Sequence, residues 1–331
     1  MPNLDASIII PTFNRKGSLL KTLASLNSQS WPRDRFEIIV VDDGSTDDTP
    51  EIKQEVFHFT LSYIRQTNQG SAAARNRGAE ESKGEILIFL DDDILVEPEY
   101  IEGLVEEHRT YAEIVGMGVC YTRSDAVDSP FAKVYSQVFN PKNGAQQSGF
   151  VSFSECTTNN LSVERQAFFK IGMMQDVAGD GPTWWGDIDF GYRALQLGFR
   201  FRRSGKAICY HHDYSIQNLA TFCQRIKKAA QVAVLLFQKY PGLDAQLPMF
   251  VDKTPVSIQS DPLPLVIHKM WHALNALPPV LWTMEQAAIL LESTAPHPAL
   301  LRPLYRWIMS SYIYQGYRLG LREYRTLKVH V

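Results

Sequence analysis

The sequence is short of several things, and each shortage weighs against a class of function. Only four cysteines occur in 331 residues, Cys120, Cys156, Cys209 and Cys223, and no two form a C-x-x-C pair. That argues against a disulfide frame or a zinc site and for separate reduced thiols in a cytoplasmic protein. No charge of one sign dominates: 33 basic against 36 acidic side chains leave a net charge of −3, which gives no electrostatic case for a nucleic-acid partner. No G-x-G-x-x-G follows the first strand-like run, and there is no G-x-x-x-x-G-K-[ST] loop, which argues against dinucleotide dehydrogenases and P-loop NTPases. The N-terminus lacks the basic region and apolar run of a signal peptide. The most apolar long window, 262–284, is broken by Pro264, Pro278 and Pro279 and carries His268, Lys269 and His272, so it reads as a poor membrane span.

What is present begins with Ala6 to Ile10, a short apolar run stopped by Pro11 and followed by the polar turn Thr12-Phe13-Asn14. Leu19, Leu20, Leu23 and Leu26 then recur at helical spacing. Phe36 to Val41 reads as a second strand ending in Asp42-Asp43-Gly44-Ser45, with Ser45 or Thr46 placed to cap a following helix. Leu61 to Arg65 reads as a third strand, and Gln69-Gly70-Ser71 opens an Ala-rich helix carrying Arg75 and Asn76. Ile86 to Leu90 is a fourth run of five apolar residues. Continuous apolar strands alternating with helices describe an α/β fold, a mostly parallel sheet with helices on both faces. Ligands of such sheets collect beyond the carboxyl ends of the strands, where Thr12, Asp43, Asp91 and Asp93 would stand.

The fourth strand runs into Asp91-Asp92-Asp93. If strand alternation continues, Asp91 and Asp93 share one side and Asp92 faces away. Adjacent carboxylates repel unless a cation or donors compensate, and hard oxygen ligands suit Mg²⁺ or Mn²⁺ shared with substrate phosphates. Farther on, Ile114 to Tyr121 reads as a strand, and 122–149 as a polar loop over the site. The glycine-rich stretch 179–183 reads as mobile, and a helix starts near Asp187. Arg200 to Tyr210 forms one or two strands turning at Ser204-Gly205 and delivers His211 and His212. Beyond 215 the character is helical, with segments at 219–240, 263–276, 284–293 and 298–327.

Four groups of residues then occur in the order of a known family: Ser7 to Asn14; Val40 to Asp47; Asn68-Gln69-Gly70 through Ala74 to Gly78 and on to Gly84-Glu85-Ile86 and Phe89 to Asp93; and Trp185-Gly186-Asp187-Ile188-Asp189 with Arg193. Over about residues 5 to 215 the chain resembles glycosyltransferase family 2, inverting nucleotide-sugar transferases of the GT-A fold. The resemblance implies a Rossmann-like GT-A catalytic domain over 1–215, with a nucleotide-binding half (1–113) and an acceptor-binding half (114–215). A helical C-terminal extension, 216–331, would follow. It implies a nucleotide-binding set of Pro11, Thr12, Asn14, Asp43, Arg75, Asp91 and Asp92, with Asp43 on the base. Asp91, Asp93 and His211 would hold Mg²⁺ or Mn²⁺, Asn160, Trp184 and Trp185 would face the acceptor, and Asp187 would be the general base.

Here Gly186 stands where the family usually has a Glu before the base, so Asp189 is the alternative proton acceptor. Two effects oppose at Asp187: a helix N-terminus favours the carboxylate, while burial under the adjacent tryptophans favours the acid. The implied partners are a nucleotide-sugar donor, a UDP-sugar by preference, and a glycan or lipid-linked acceptor. The C-terminal helix, mixing Trp307 and Ile313 with Arg306, Arg318 and Arg322, offers a peripheral membrane contact on the cytoplasmic face; packing on the catalytic domain is the other reading of the same helix. Two competing functions remain on the residues alone. One is a phosphohydrolase of the haloacid dehalogenase type with Asp91 as nucleophile, against which three βα units precede the motif. The other is a sugar-nucleotide-binding module without turnover.

Overall fold

The computed structural model describes residues 4–123, 129–140, 148–177, 184–212, 216–257, 259, 261–294 and 296–324. The chain divides into two compact units, Met1–Arg123 with Asn140–Asp213, and Ser124–Phe139 with Tyr214–Val331.

The first unit is built on β1 (Ala6–Thr12), α1 (Lys16–Leu26), β2 (Phe36–Asp42), β3 (Thr60–Arg65), α2 (Ser71–Glu81), β4 (Ile86–Leu90), β5 (Ile94–Val96), α3 (Tyr100–Thr110) and β6 (Ile114–Thr122). Beyond α4 (Pro130–Phe139), which belongs to the second unit, it continues with β7 (Gly149–Val151), β8 (Asn160–Glu164), α5 (Arg165–Ile171), α6 (Gly186–Gln196) and β9 (Arg200–His211). Among the described residues these strands form one nine-stranded sheet in the order β3-β2-β1-β4-β8-β6-β9-β5, with β7 on β9. β1 to β4, β6 and β9 run one way and β5, β7 and β8 the other.

The apolar runs explain the centre of this sheet. Every residue of β1, β2 and β4 is buried, as strands covered on both faces must be. Ile8, Ile10, Ile38, Val40, Ile88 and Leu90 pack on one face with Leu19, Leu23 and Leu104 from α1 and α3. Ile39 and Val41 turn to the other face and meet Ala74 of α2. A Cβ at Gly78 would lie 2.4 Å from Ile9 Cγ2, so the absence of a side chain there is what lets α2 lie close on β1.

At the sheet edge opposite the strand ends named above, buried Asp5 accepts hydrogen bonds from Arg35 (Nε 2.9 Å, Nη2 2.6 Å), Arg109 (3.0 Å) and Trp31 (3.1 Å). Its pKa is held below the ordinary carboxylate value, first by the Arg35 hydrogen bond, although burial opposes this. Asp5→Asn is therefore expected to lower Tm at neutral pH by about 2–4 °C. A depressed native pKa contributes stability above the unfolded value, near 3.9, and loses it as pH falls through the native value. The wild-type advantage should accordingly shrink below about pH 4; calorimetry across pH checks this, and a constant difference would contradict it.

The second unit holds α4, α7 (Leu219–Lys239), α8 (Leu263–Asn275), α9 (Pro278–Thr294) and α10 (Pro298–Glu323). Phe131 and Val134 of α4 are buried with Cys223, Leu301, Tyr305 and Ile308. A Cβ at Gly316 or Gly320 would stand 2.0 Å from Lys227 O or 2.2 Å from Gln231 O, so two glycines one turn apart let α10 run against α7. Among the described residues no helix is long and apolar enough to cross a membrane.

Several expectations are corrected. The stretch 122–149 is not loop throughout: Pro130 opens α4, and Phe131, Val134 and Tyr135 give that helix an apolar face. The helix expected after β2 is only a 3₁₀ segment, Thr49–Gln54, because Asp42 Oδ1 and Asn14 Oδ1 take the backbone N–H groups of Ser45 and Thr46 and fix the chain as a loop. Ser204-Gly205 does not divide two strands; β9 is continuous and bulges there, its register against β6 jumping from Ser204 to Ile208. α9 begins at Pro278, since prolines are tolerated in a first helical turn.

Candidate active site

Parallel pairing brings the ends of β1, β2 and β4 to one edge, with Thr12 beside Asp42. β4 stops at Leu90 and the aspartates enter a turn, closed by Ile94 N on Asp91 O at 3.3 Å. Strand alternation therefore does not govern them, and Asp92 does not face away. Thr12 donates to Asp92 Oδ2 at 2.7 Å, and Thr22 of α1 donates to the Asp92 carbonyl at 3.0 Å. Arg15 bridges Asp92 Oδ1 (3.2 Å) and Asp93 Oδ2 (2.8 Å). Burial raises the Asp92 pKa to about 6 despite Arg15 and Thr12.

His211 ends β9, opposite Ile94 of β5, and the His212 N–H binds the Asp93 carbonyl at 3.0 Å. This pairing sets His211 Nε2 3.4 Å from Asp93 Oδ1. Burial alone would raise the Asp93 pKa, but His211 and Arg15 outweigh it and the net shift is downward. Asp93 Oδ1 is buried and has no hydrogen-bond partner, with His211 Nε2 in ion-pair range. A buried carboxylate oxygen left without a donor is costly. Together with a neighbouring imidazole, it is the donor set a divalent cation would satisfy.

Arg75 is buried on α2 and donates to Asp91 Oδ1 at 2.5 Å, while its Nε finds no partner. It is therefore not a solvated helix charge. Asn76, the next residue, exchanges two 2.9 Å hydrogen bonds with the backbone of Met174, which ties the segment before α6 to α2. From that side Asp176 and Asp187 both feel the Arg75 charge, and Asp187 also feels Asp91. Arg75 thus pairs with Asp91 after β4, and its charge reaches Asp187 at the start of α6.

Asp187 occupies the first turn of α6 and accepts from Ile188 N at 2.9 Å. Burial is the largest influence on it and raises its pKa, against the pull of that N–H and of Arg75; of the two opposing effects named above, desolvation wins. Trp185 caps the helix in the left-handed region, φ 67°. Trp184 and Trp185 are both half-buried beside Asp187. The glycine-rich stretch read as mobile, 179–183, lies outside the described residues.

Other expected site residues have different work. Asp189 is fully buried and its carboxylate is held by Arg193 Nε at 2.8 Å, while Arg193 also binds the carbonyls of Ile171 and Met173. Its carboxylate is thus closed off from solvent and taken up by Arg193. Asn160 is buried in β8, where its Oδ1 accepts from Tyr100 Oη (2.5 Å) and Gly118 N (3.2 Å). Asp43 accepts from Gln66 Nε2, Gln69 N and Gly70 N at 2.8–2.9 Å, which leaves about one of its four acceptor positions for anything else. Asn14, at φ 54°, anchors the loop after β2 through Thr46 and Asp47. Pro11 is buried in β1 opposite Val41.

Two features escape a reading by motif. Arg15 follows the β1 turn as an ordinary surface-type residue, and only the fold shows that it closes on Asp92 and Asp93. Cys120 and Cys209, distant in sequence, are opposite each other on β6 and β9.

Residues 7–171 match the family model described as Glycosyl transferase family 2. Glycosyltransferase AglE of Haloferax volcanii is 38% identical over 123 residues, 35% of this chain and 40% of that protein. Validoxylamine A glucosyltransferase of Streptomyces hygroscopicus subsp. jinggangensis is 29% identical over 253 residues, 66% of this chain and 59% of that protein. The chain thus spans less than two thirds of the length of these curated relatives. Among solved structures, a mannosyltransferase from Pyrobaculum calidifontis in complex with GDP-Man and Mn²⁺ superposes with TM-score 0.62 at 19% identity, covering 96% of this chain and 86% of that one. Staphylococcus aureus TarS 1–349 in complex with UDP gives 0.55 at 18% identity, covering 97% and 91%. The fold is that of the GT-A glycosyltransferases.

Proposed function

Because residues 7–171 belong to glycosyl transferase family 2, we propose that the protein moves a sugar from a nucleoside-diphosphate sugar to an acceptor hydroxyl by a single inverting displacement. UDP-sugars are the favoured donors, and the acceptor is a glycan, glycolipid or polysaccharide precursor. In this reading residues 1–113 bind the nucleotide, 114–215 the acceptor, and 216–331 form the extension. Work on the cytoplasmic side, in peripheral contact with a membrane, completes it.

The observation that carries the reading is the shared environment of Asp91, Arg75 and Asp187. An inverting displacement needs the nucleophile's proton removed on one side of the anomeric carbon while diphosphate leaves on the other. Asp187, from a distant part of the sequence, takes the acceptor proton. Its pKa, raised by burial, makes it a stronger base than an ordinary carboxylate. Arg75, with a buried donor unspent, sits where negative charge collects and steadies the departing diphosphate. Thr12 and Arg15 hold Asp92 and Asp93 in place before substrate arrives. Asp93 and His211 would hold Mg²⁺ or Mn²⁺, with Asp91 held by Arg75; the ion when bound offsets charge on the diphosphate oxygens. The phosphohydrolase alternative loses support because Asp91, its nucleophile, is committed to Arg75.

The test is a thermal-shift screen of UDP- and GDP-sugars with Mn²⁺. A donor at 100 times its Kd should add about 2.7 kcal/mol and raise Tm by about 5 °C, and nucleoside diphosphate should be released when acceptor is supplied. No shift with any nucleotide sugar and no release would overturn the reading.

A further inference from the structure

α8 is packed inside out. Lys269, His272 and Asn275 are buried, the lysine only 4% exposed, whereas Leu263, Ile267, Met270, Trp271 and Leu274 stand in solvent, Leu263 at 71% and Met270 at 62%. Spacings of four, three, one and three residues put these five on one helical face. The roll of the helix is fixed by its polar side. Lys269 Nζ binds Asp261 Oδ2 at 2.7 Å; His272 binds Asp252 Oδ2 through Nε2 at 2.8 Å and Ser310 Oγ through Nδ1 at 3.1 Å. Turning the apolar face inward would strip a buried lysine of its partner, which is strongly destabilising.

α9 repeats the arrangement. Its carboxylates are turned inward to tyrosine hydroxyls, Glu285 to Tyr312 (2.6 Å) and Glu292 to Tyr305 (2.7 Å), while Trp282, Ile289 and Leu290 are exposed. Trp271 of α8 meets Trp307 of α10 with ring centroids 6.1 Å apart, which joins the exposed face of α8 to α10. No exposed residue between 262 and 294 is an Asp, Glu, Lys or Arg. An apolar surface this extensive marks an interaction site rather than ordinary exposure.

Its α10 edge carries positive charge. On α10, Arg306 adjoins Trp307, and Arg318 lies about three turns farther on the same side, with Arg322 one turn beyond; all three are exposed. The one exposed carboxylate of α10, Glu323, faces the other way and binds Gln231 of α7. We infer that the outer face of α8 and α9, with the adjoining arginines of α10, docks on an anionic lipid surface. Aliphatic side chains enter the acyl boundary, the tryptophans suit the interfacial level, and the arginines meet lipid phosphates. The inference identifies the surface for the membrane contact proposed above and uses none of the catalytic residues.

Vesicle co-sedimentation of the full chain tests it, without donor present, so that its failure leaves the transferase reading untouched. Wild type should bind vesicles of phosphatidylcholine with 30% (about a third) phosphatidylglycerol, and lose binding as salt rises. Ile267→Ser with Trp271→Ser should weaken binding at least about tenfold, and Arg318→Glu with Arg322→Glu should do so on anionic vesicles but not on pure phosphatidylcholine. Unchanged Tm in both variants would show that they fold. Equal sedimentation of wild type and both variants, or no sedimentation at all, overturns the inference. So does a stable dimer in light scattering that the serine variant dissolves.

Discussion

Asp187→Asn should leave donor binding near the wild-type value and lower kcat by at least about 10²–10⁴-fold, the usual contribution of a positioned general base. Asparagine keeps the size of the side chain and its acceptor for Ile188 N, so the start of α6 is retained. It has no lone pair basic enough to take a hydroxyl proton. The pH profile carries the same signature. Burial raises the Asp187 pKa above the ordinary carboxylate value, so the base protonates, and activity falls, at a higher pH than for an exposed aspartate. In kcat/KM against pH, the wild-type acid limb should be displaced upward accordingly, and the residual activity of the variant should lack that limb.

Asp93→Ala should act on a different step. It removes the carboxylate oxygen that is buried without a donor beside His211 and that this account assigns to the cation. Metal and donor affinity should fall together by at least about tenfold; lesser changes, in the groups that only orient ligands, already cost that much. Stability should change far less, because Arg15 keeps Asp92 as partner and the repulsion between the two aspartates is relieved. Mn²⁺ and nucleotide titrations, each with and without the other, separate these outcomes. Independent losses of similar size for metal-free nucleotide would refute the assignment.

Much of this was legible in the sequence, for reasons that differ between elements. β1, β2 and β4 announce themselves because a strand covered on both faces must be apolar throughout, and their parallel pairing then carries Thr12, Asp42 and Asp91 to one edge. The turn after β4 was not legible. Alternation holds only while the backbone stays extended, and nothing in three successive aspartates says that extension stops at Leu90. The partners of Asp189 and Asn160 were not legible either, because a polar residue looks the same whether it meets substrate or is locked by an internal partner; Arg193 and Tyr100 are contacts of the fold. α8 shows the limit most clearly. Its periodicity reveals an apolar face but not which way that face turns, since this depends on Asp252, Asp261 and Ser310 claiming the polar side.

The central claim is that proton acceptor and cation grip are separate parts of one donor site. The most direct measurement is calorimetric titration of one nucleotide sugar with Mn²⁺ into wild type, Asp187→Asn and Asp93→Ala, with transfer assayed on the same samples. The first variant should keep wild-type donor affinity without transfer, and the second should bind donor more weakly. Wild-type transfer by Asp187→Asn, or undiminished Mn²⁺-dependent donor binding by Asp93→Ala, would contradict it.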